Sequence, residues 1–101
     1  MKTITAVIRT KAGQEDTMRK GLLDVAANVA ANEPDTVGFF ICQDDKDPTI
    51  FTTYERFRDQ AAMDTHNNSA TVAAFFEIAK PILDGDVILH TCDEISVKNT
   101  G

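Results

Sequence analysis

Residues 37–57 read VGFFICQDDKDPTIFTTYERF, and the fold is decided in this stretch. Val37 to Asp44 and Thr49 to Phe57 are rich in Phe, Ile, Val, Thr and Tyr, which suit a pleated, half-buried surface. The Asp44-Asp45-Lys46-Asp47-Pro48 run between them is a turn, because Asp side chains bond nearby backbone and Pro presets its own φ. The two runs therefore predict a hairpin. Its apolar residues fall on both strand parities, with Phe39, Ile41, Phe51 and Phe57 on one and Phe40, Cys42, Ile50 and Tyr54 on the other. Since neighbouring side chains point to opposite faces of a strand, both faces of this hairpin are apolar.

Outward from the hairpin, Ile4 to Thr10 alternates with Ile4, Ala6 and Ile8 against Thr5, Val7 and Arg9, which predicts a first strand. From Gly13 to Asn32 the period becomes helical, with Met18, Leu22, Val25 and Val29 on one stripe and Glu15 and Asp16 in the favoured first turn. Glu33-Pro34 ends that helix, because the residue before proline avoids the helical region. Downstream, Asp59 can cap a short helix from Gln60 to His66, and Ser69 a second from Ala70 to Lys80 with Val72, Phe75, Phe76 and Ala79 as its stripe. Pro81 stops it, and Val87 to Cys92 supplies the fourth strand.

The order strand, helix, strand, strand, helix, strand predicts an α+β domain of the ferredoxin-like, split βαβ kind, with helices on one face of a four-stranded antiparallel sheet. The domain is expected over 1–95, followed by a polar tail over 96–101. Ile4, Ile8, Phe39, Ile41, Phe51, Phe57 and Leu89 share the parity for the helices to cover. Val7, Phe40, Cys42, Ile50, Tyr54 and Ile88 are left on the other face, where the simplest cover is a copy of the same sheet, which predicts a homodimer.

Composition narrows the partners. The 101 residues are 43% hydrophobic and 26% charged, as for a globular domain, and the net charge of −6 opposes binding to nucleic acid or an anionic membrane surface. No apolar run approaches the ~20 residues that span a bilayer, and no signal-peptide hydrophobic region follows Met1, so a cytoplasmic location is expected. Cys42 and Cys92 have no CxxC spacing, which argues against zinc and, in a reducing compartment, against a disulfide; two buried thiols are expected. The acidic turn lacks the Gly and distal Glu of a calcium loop, and there is no phosphate loop, nucleophile elbow or HExxH. No metal site is expected.

Chemistry concentrates around Glu55 and His66. Glu55 shares the parity of Phe51 and Phe57, so it points under the helices, where a carboxylate needs a partner. His66 closes the next helix and can reach back over the strand end. A carboxylate–imidazole pair on an apolar wall can exchange protons near neutral pH, or it can be a structural pair that satisfies itself. Phe39, Phe57, Phe75 and Phe76 are candidate walls of a substrate pocket, or plain core. His90 has the parity of the sheet-to-sheet interface, where a packing role is expected.

Four stretches carry a family resemblance: Lys11-Ala12-Gly13 after the first strand; Glu33-Pro34 with Gly38; Gln43-Asp44 with Asp47-Pro48; and Glu55-Arg56-Phe57 followed by Ala61, His66 and Ser69. In this order and spacing, from about Ile4 to Ile95, the chain resembles the antibiotic-biosynthesis monooxygenase family, particularly its quinol monooxygenase-like members. The resemblance implies a dimeric α/β barrel that oxidises a small quinol or phenol with dioxygen and no cofactor, with His66 as proton acceptor and Glu55 orienting it. The same scaffold admits an isomerase or signal-molecule processing enzyme using His66 for proton transfer, or a non-catalytic small-ligand-binding dimer module. The chain departs from the family at Phe57, where tryptophan is common, and at Asp35, where glycine is usual. The first strand has no asparagine and the chain no tryptophan, which disfavours haem degradation.

Overall fold

The computed structural model describes residues 1–98, so positions 99–101 of the polar tail lie outside the described residues. The chain forms β1 (Lys2–Arg9), α1 (Glu15–Asn32), β2 (Thr36–Gln43), β3 (Ile50–Phe57), α2 (Gln60–Asn67), α3 (Ala70–Ala79) and β4 (Ile88–Asp93). The strands make one antiparallel sheet in the order β2-β3-β1-β4, as the ferredoxin-like reading requires. No helix among the described residues is long and apolar enough to cross a membrane.

Register fixes which side chains share a face. Phe39 lies opposite Glu55, and Glu55 opposite Ile4, so one rung crosses three strands on the helix-covered side. Ala6 stands between Thr53 and Leu89 on the same side. Against this face α1 buries Met18, Leu22, Val25 and Val29, the stripe read from its 3.6-residue period, together with Ile8, Phe51, Phe75 and Ala79. A smaller cluster of Ile4, Phe57, Ala62 and Met63 seats α2 at the other end of the sheet. Gly21 lets α1 approach α3 closely, because a Cβ there would stand 3.2 Å from the Phe75 ring.

Both predicted caps form. Asp59 accepts a hydrogen bond from the Ala62 amide at 2.9 Å, and Ser69 from the Val72 amide at 3.1 Å, each satisfying an amide that the helix cannot. The first helix starts at Glu15, two residues later than expected, because Gly13 has φ +90 and forms the turn that precedes it. Pro81 does not stop α3 directly. That helix ends at Ala79, and Pro81 sits inside a 3-10 turn, Lys80–Ile82, where its missing amide costs little.

The cysteines correct the expectation of buried thiols, since Cys42 and Cys92 are both free and exposed. The cause is parity: Cys42 pairs with Thr52 and Cys92 with Thr3, positions that point away from the helices. Phe40, Tyr54 and Ile88 emerge on the same uncovered face.

Candidate functional site

His66 occupies the last turn of α2, a short helix that the Asp59 cap starts and the Ala62–Met63 contacts hold on the sheet. From there the ring points inward and is 4% exposed. Its Nε2 lies 3.2 Å from Oε1 of Glu55, as the strand parity predicts. Its Nδ1 lies 2.8 Å from Oε1 of Glu33, a partner the sequence reading missed. Three elements thus contribute one group each: the end of α1, the C-terminal part of β3 and the end of α2.

The two carboxylates are fixed independently. Glu33 follows α1, and its amide bonds back to the Val29 carbonyl at 3.1 Å. Its side chain also accepts from the Thr36 hydroxyl at 2.9 Å and the Asn28 amide at 3.3 Å. Glu55 accepts from the Thr53 hydroxyl at 2.8 Å. Each carboxylate oxygen has two acceptor positions, so Glu55 retains capacity for a ligand. The imidazole sits between the Phe39 and Phe57 rings, with centroids 5.5 and 5.3 Å away.

Burial alone would push the His66 pKa down, but hydrogen bonds to Glu55 and Glu33, and their negative charge, outweigh it and raise the pKa above its ordinary value. As imidazolium, His66 has one N–H for each carboxylate. No described buried side-chain nitrogen or oxygen lacks a partner.

Beside the triad lies a cavity of about 260 Å³ between the sheet and the helices. Its polar lining is Thr53, Glu55, His66 and Asn67; its other walls are aliphatic and aromatic, and none of the lining residues is Lys or Arg. Of the four candidate wall residues, Phe39, Phe75 and Phe76 line it. Phe57 does not. It is fully buried in the smaller cluster and backs the His66 ring instead of meeting the cavity. Glu33 is also absent from this lining and borders a separate outer cleft with Asn32, Asp35 and Thr65. Glu55 therefore faces the cavity and Glu33 stands behind the ring.

Glu33 escaped the sequence reading because it is 33 positions from His66 and reads as a helix breaker before Pro34. A signal was present nonetheless. A carboxylate at a helix C-terminus faces the negative end of the dipole, so it gains nothing locally and needs a partner elsewhere. Among the described residues, no group of three His, Cys, Asp or Glu side chains is arranged to hold a metal ion.

A second polar cluster lies on the uncovered face. Glu94, just after β4, accepts from Arg56 at 2.8 Å through both oxygens and from the Tyr54 hydroxyl at 2.9 Å. His90 stands on this face opposite Thr5, away from the cavity, as its parity predicts.

Known proteins share this fold. A family model described as antibiotic biosynthesis monooxygenase matches residues 1–78. Among solved structures, one described as an antibiotic biosynthesis monooxygenase superposes with a TM-score of 0.85 at 20% identity, covering 95% of this chain and 100% of the other. Rv0793 from Mycobacterium tuberculosis gives 0.87 at 13% identity over 97% and 98% of the two chains. PA3566 from Pseudomonas aeruginosa gives 0.83 at 22% over 94% of each. At these identities the likeness is one of fold. No curated protein matches the sequence.

Proposed function

The chain belongs to the antibiotic biosynthesis monooxygenase family, and from that premise we propose that it oxidises a small phenol or quinol with dioxygen, the Glu55–His66 pair taking the substrate's proton. The observation that carries this reading is the placement of a hydrogen-bonded carboxylate–imidazole pair at the polar side of an otherwise apolar cavity. At about 260 Å³ the cavity is just below the ~300–1,000 Å³ typical of small-molecule sites, which suits a compact ring system.

The chemistry asks little else of the protein. Removing the phenolic proton gives an electron-rich anion that can pass one electron to dioxygen, and the phenoxyl radical and superoxide then combine at the carbon para to the oxygen. Taking the proton from that carbon breaks the O–O bond, leaving a quinone and releasing the other oxygen as water. For a phenol with a para hydrogen, one oxygen atom enters the product and the two hydrogens lost end in water, so the only oxidant is dioxygen. The pair accepts and returns protons, and the apolar walls limit water around the reactive anion. Phe39, Phe75 and Phe76 offer faces for the aromatic substrate, while Phe57 holds the imidazole in place. The same reading makes the working unit a homodimer joined through the uncovered sheet faces.

Oxygen uptake with a panel of phenols and hydroquinones tests this. We expect turnover that EDTA leaves unchanged, in protein with no copurifying visible absorption band. Absence of protein-dependent uptake across the panel would contradict the monooxygenase reading, and loss on chelation or a bound chromophore would contradict its cofactor-free form.

A further inference from the structure

Glu33 has no part in the family resemblance beyond marking the turn before the second strand, yet it makes the shorter of the two contacts to His66. We propose that Glu33 is a positioning residue that keeps His66 an imidazolium with an N–H on each carboxylate, so that acceptance of a substrate proton falls to Glu55. The proton-accepting part of this statement rests on the functional reading above; the charge state of His66 does not.

Hydrogen-bond geometry sets that charge state. A neutral imidazole has one N–H, so with both nitrogens facing carboxylates it would leave one nitrogen lone pair directed at a carboxylate oxygen. Only the imidazolium satisfies both contacts with charge-assisted hydrogen bonds. The other elements around the ring add no opposing charge: β2 presents Phe39, β3 presents Phe57 beside Glu55, and the cluster that joins β1 to α2 is Ile4, Phe57, Ala62 and Met63. Glu33 and Glu55 are thus the charged groups that set the state of His66.

The positions of the carboxylates divide their roles. Two carboxylates around one imidazolium leave the unit with one net negative charge. Glu33 is held by Thr36 and Asn28 and stands away from the cavity, whereas Glu55 lines it and has acceptor capacity free. A hydroxyl in the cavity therefore meets the accepting end of the unit at Glu55, while both N–H groups of His66 stay on the two carboxylates.

The test is Glu33→Gln, which preserves shape and an acceptor oxygen while removing the charge. The His66 ring is titrated by NMR in both proteins. We expect the His66 midpoint to fall by about one to three pH units, the usual effect of losing a neighbouring opposite charge. Glu33→Asp, which retains the charge, should restore part of the shift. An unchanged His66 midpoint in folded Glu33→Gln overturns the proposal.

Turnover supplies a second reading with opposite signs. If the imidazolium is the working form, activity is lost on the alkaline side, and Glu33→Gln moves that limb towards acid by the shift seen in NMR. Activity that rises with pH through the His66 midpoint, with Glu33→Gln faster than wild type at neutral pH, overturns the proposal in favour of neutral His66 as base. A displaced NMR midpoint in a protein with no oxygen-dependent turnover upholds the charge assignment and sinks the monooxygenase reading instead.

Discussion

At the scale of single residues, the buried charge of His66 is compensated by two other groups. His66 is held between Glu33 and Glu55, so removing the ring leaves two carboxylates facing one another. His66→Ala is expected to destabilise by about 3–5 kcal/mol, the usual cost of removing one partner from a buried ion pair. Turnover per folded molecule should fall about 10²- to 10⁴-fold if the pair moves the substrate's proton. Melting curves and turnover measured on the same sample separate the effects, and lowered stability with unchanged turnover would leave the pair purely structural. The raised pKa of His66 also sets a sign with pH. Its stabilisation is fully present below the unfolded value of about 6.5 and is lost as pH rises through the folded one. The melting-temperature gap between wild type and His66→Gln should therefore be wider near pH 6 than in alkaline buffer. A gap that widened with pH would contradict the charged assignment. Glu55 and His66 were legible because strand parity and a helix end place them. Glu33 was not, since no local period links positions so far apart in the chain.

At the scale of elements, the site depends on where two short helices start. The Asp59 and Ser69 caps were readable from sequence because Asp and Ser are favoured at the position before a helix, and both form. Replacing either by Ala is expected to cost about 1 kcal/mol. Asp59→Ala should in addition lower turnover more than Ser69→Ala, because α2 carries His66 and α3 carries only walls of the cavity. Equal losses of turnover would mean that cap strength, and not the placement of His66, governs activity. What period and parity could not supply was the behaviour of chain ends. Pro81 lies within a 3-10 turn, and Glu94, just past the last strand, is drawn onto the sheet by Arg56 and Tyr54. Those hydrogen bonds, Arg56 first, hold the Glu94 carboxyl below its ordinary range. Its contribution is therefore present above the ordinary carboxylate range and lost as acid takes pH down through the lowered value.

At the scale of the whole molecule, the helices cover one face of the sheet and leave Phe40, Tyr54 and Ile88 exposed on the other. That asymmetry was readable from the sequence, because apolar residues of the 37–57 hairpin occupy both parities. The exposed cysteines follow from the same fact: chemical type suggested burial, and parity decided against it. An apolar face of this kind in water calls for cover, and the proposed two-fold pairing of sheets would supply it. Tyr54→Asp or Ile50→Asp should then shift the protein towards monomer in light scattering at micromolar concentration, whereas a wild-type monomer there would contradict the pairing. The cavity adds a constraint on what the molecule takes in. With no Lys or Arg lining it and Glu55 facing it, a neutral phenol should bind better than the same ring bearing a carboxylate, as read by calorimetry.

The central claim, oxygen insertion in the His66 cavity, is tested most directly by mass spectrometry of the product formed from 1-naphthol under oxygen-18 gas. We expect a naphthoquinone carrying one labelled oxygen, formed by the wild-type protein in the presence of EDTA and greatly reduced in folded Glu55→Gln. Failure to form labelled quinone from 1-naphthol or from any phenol in the panel, or label incorporated equally well by Glu55→Gln, would contradict it.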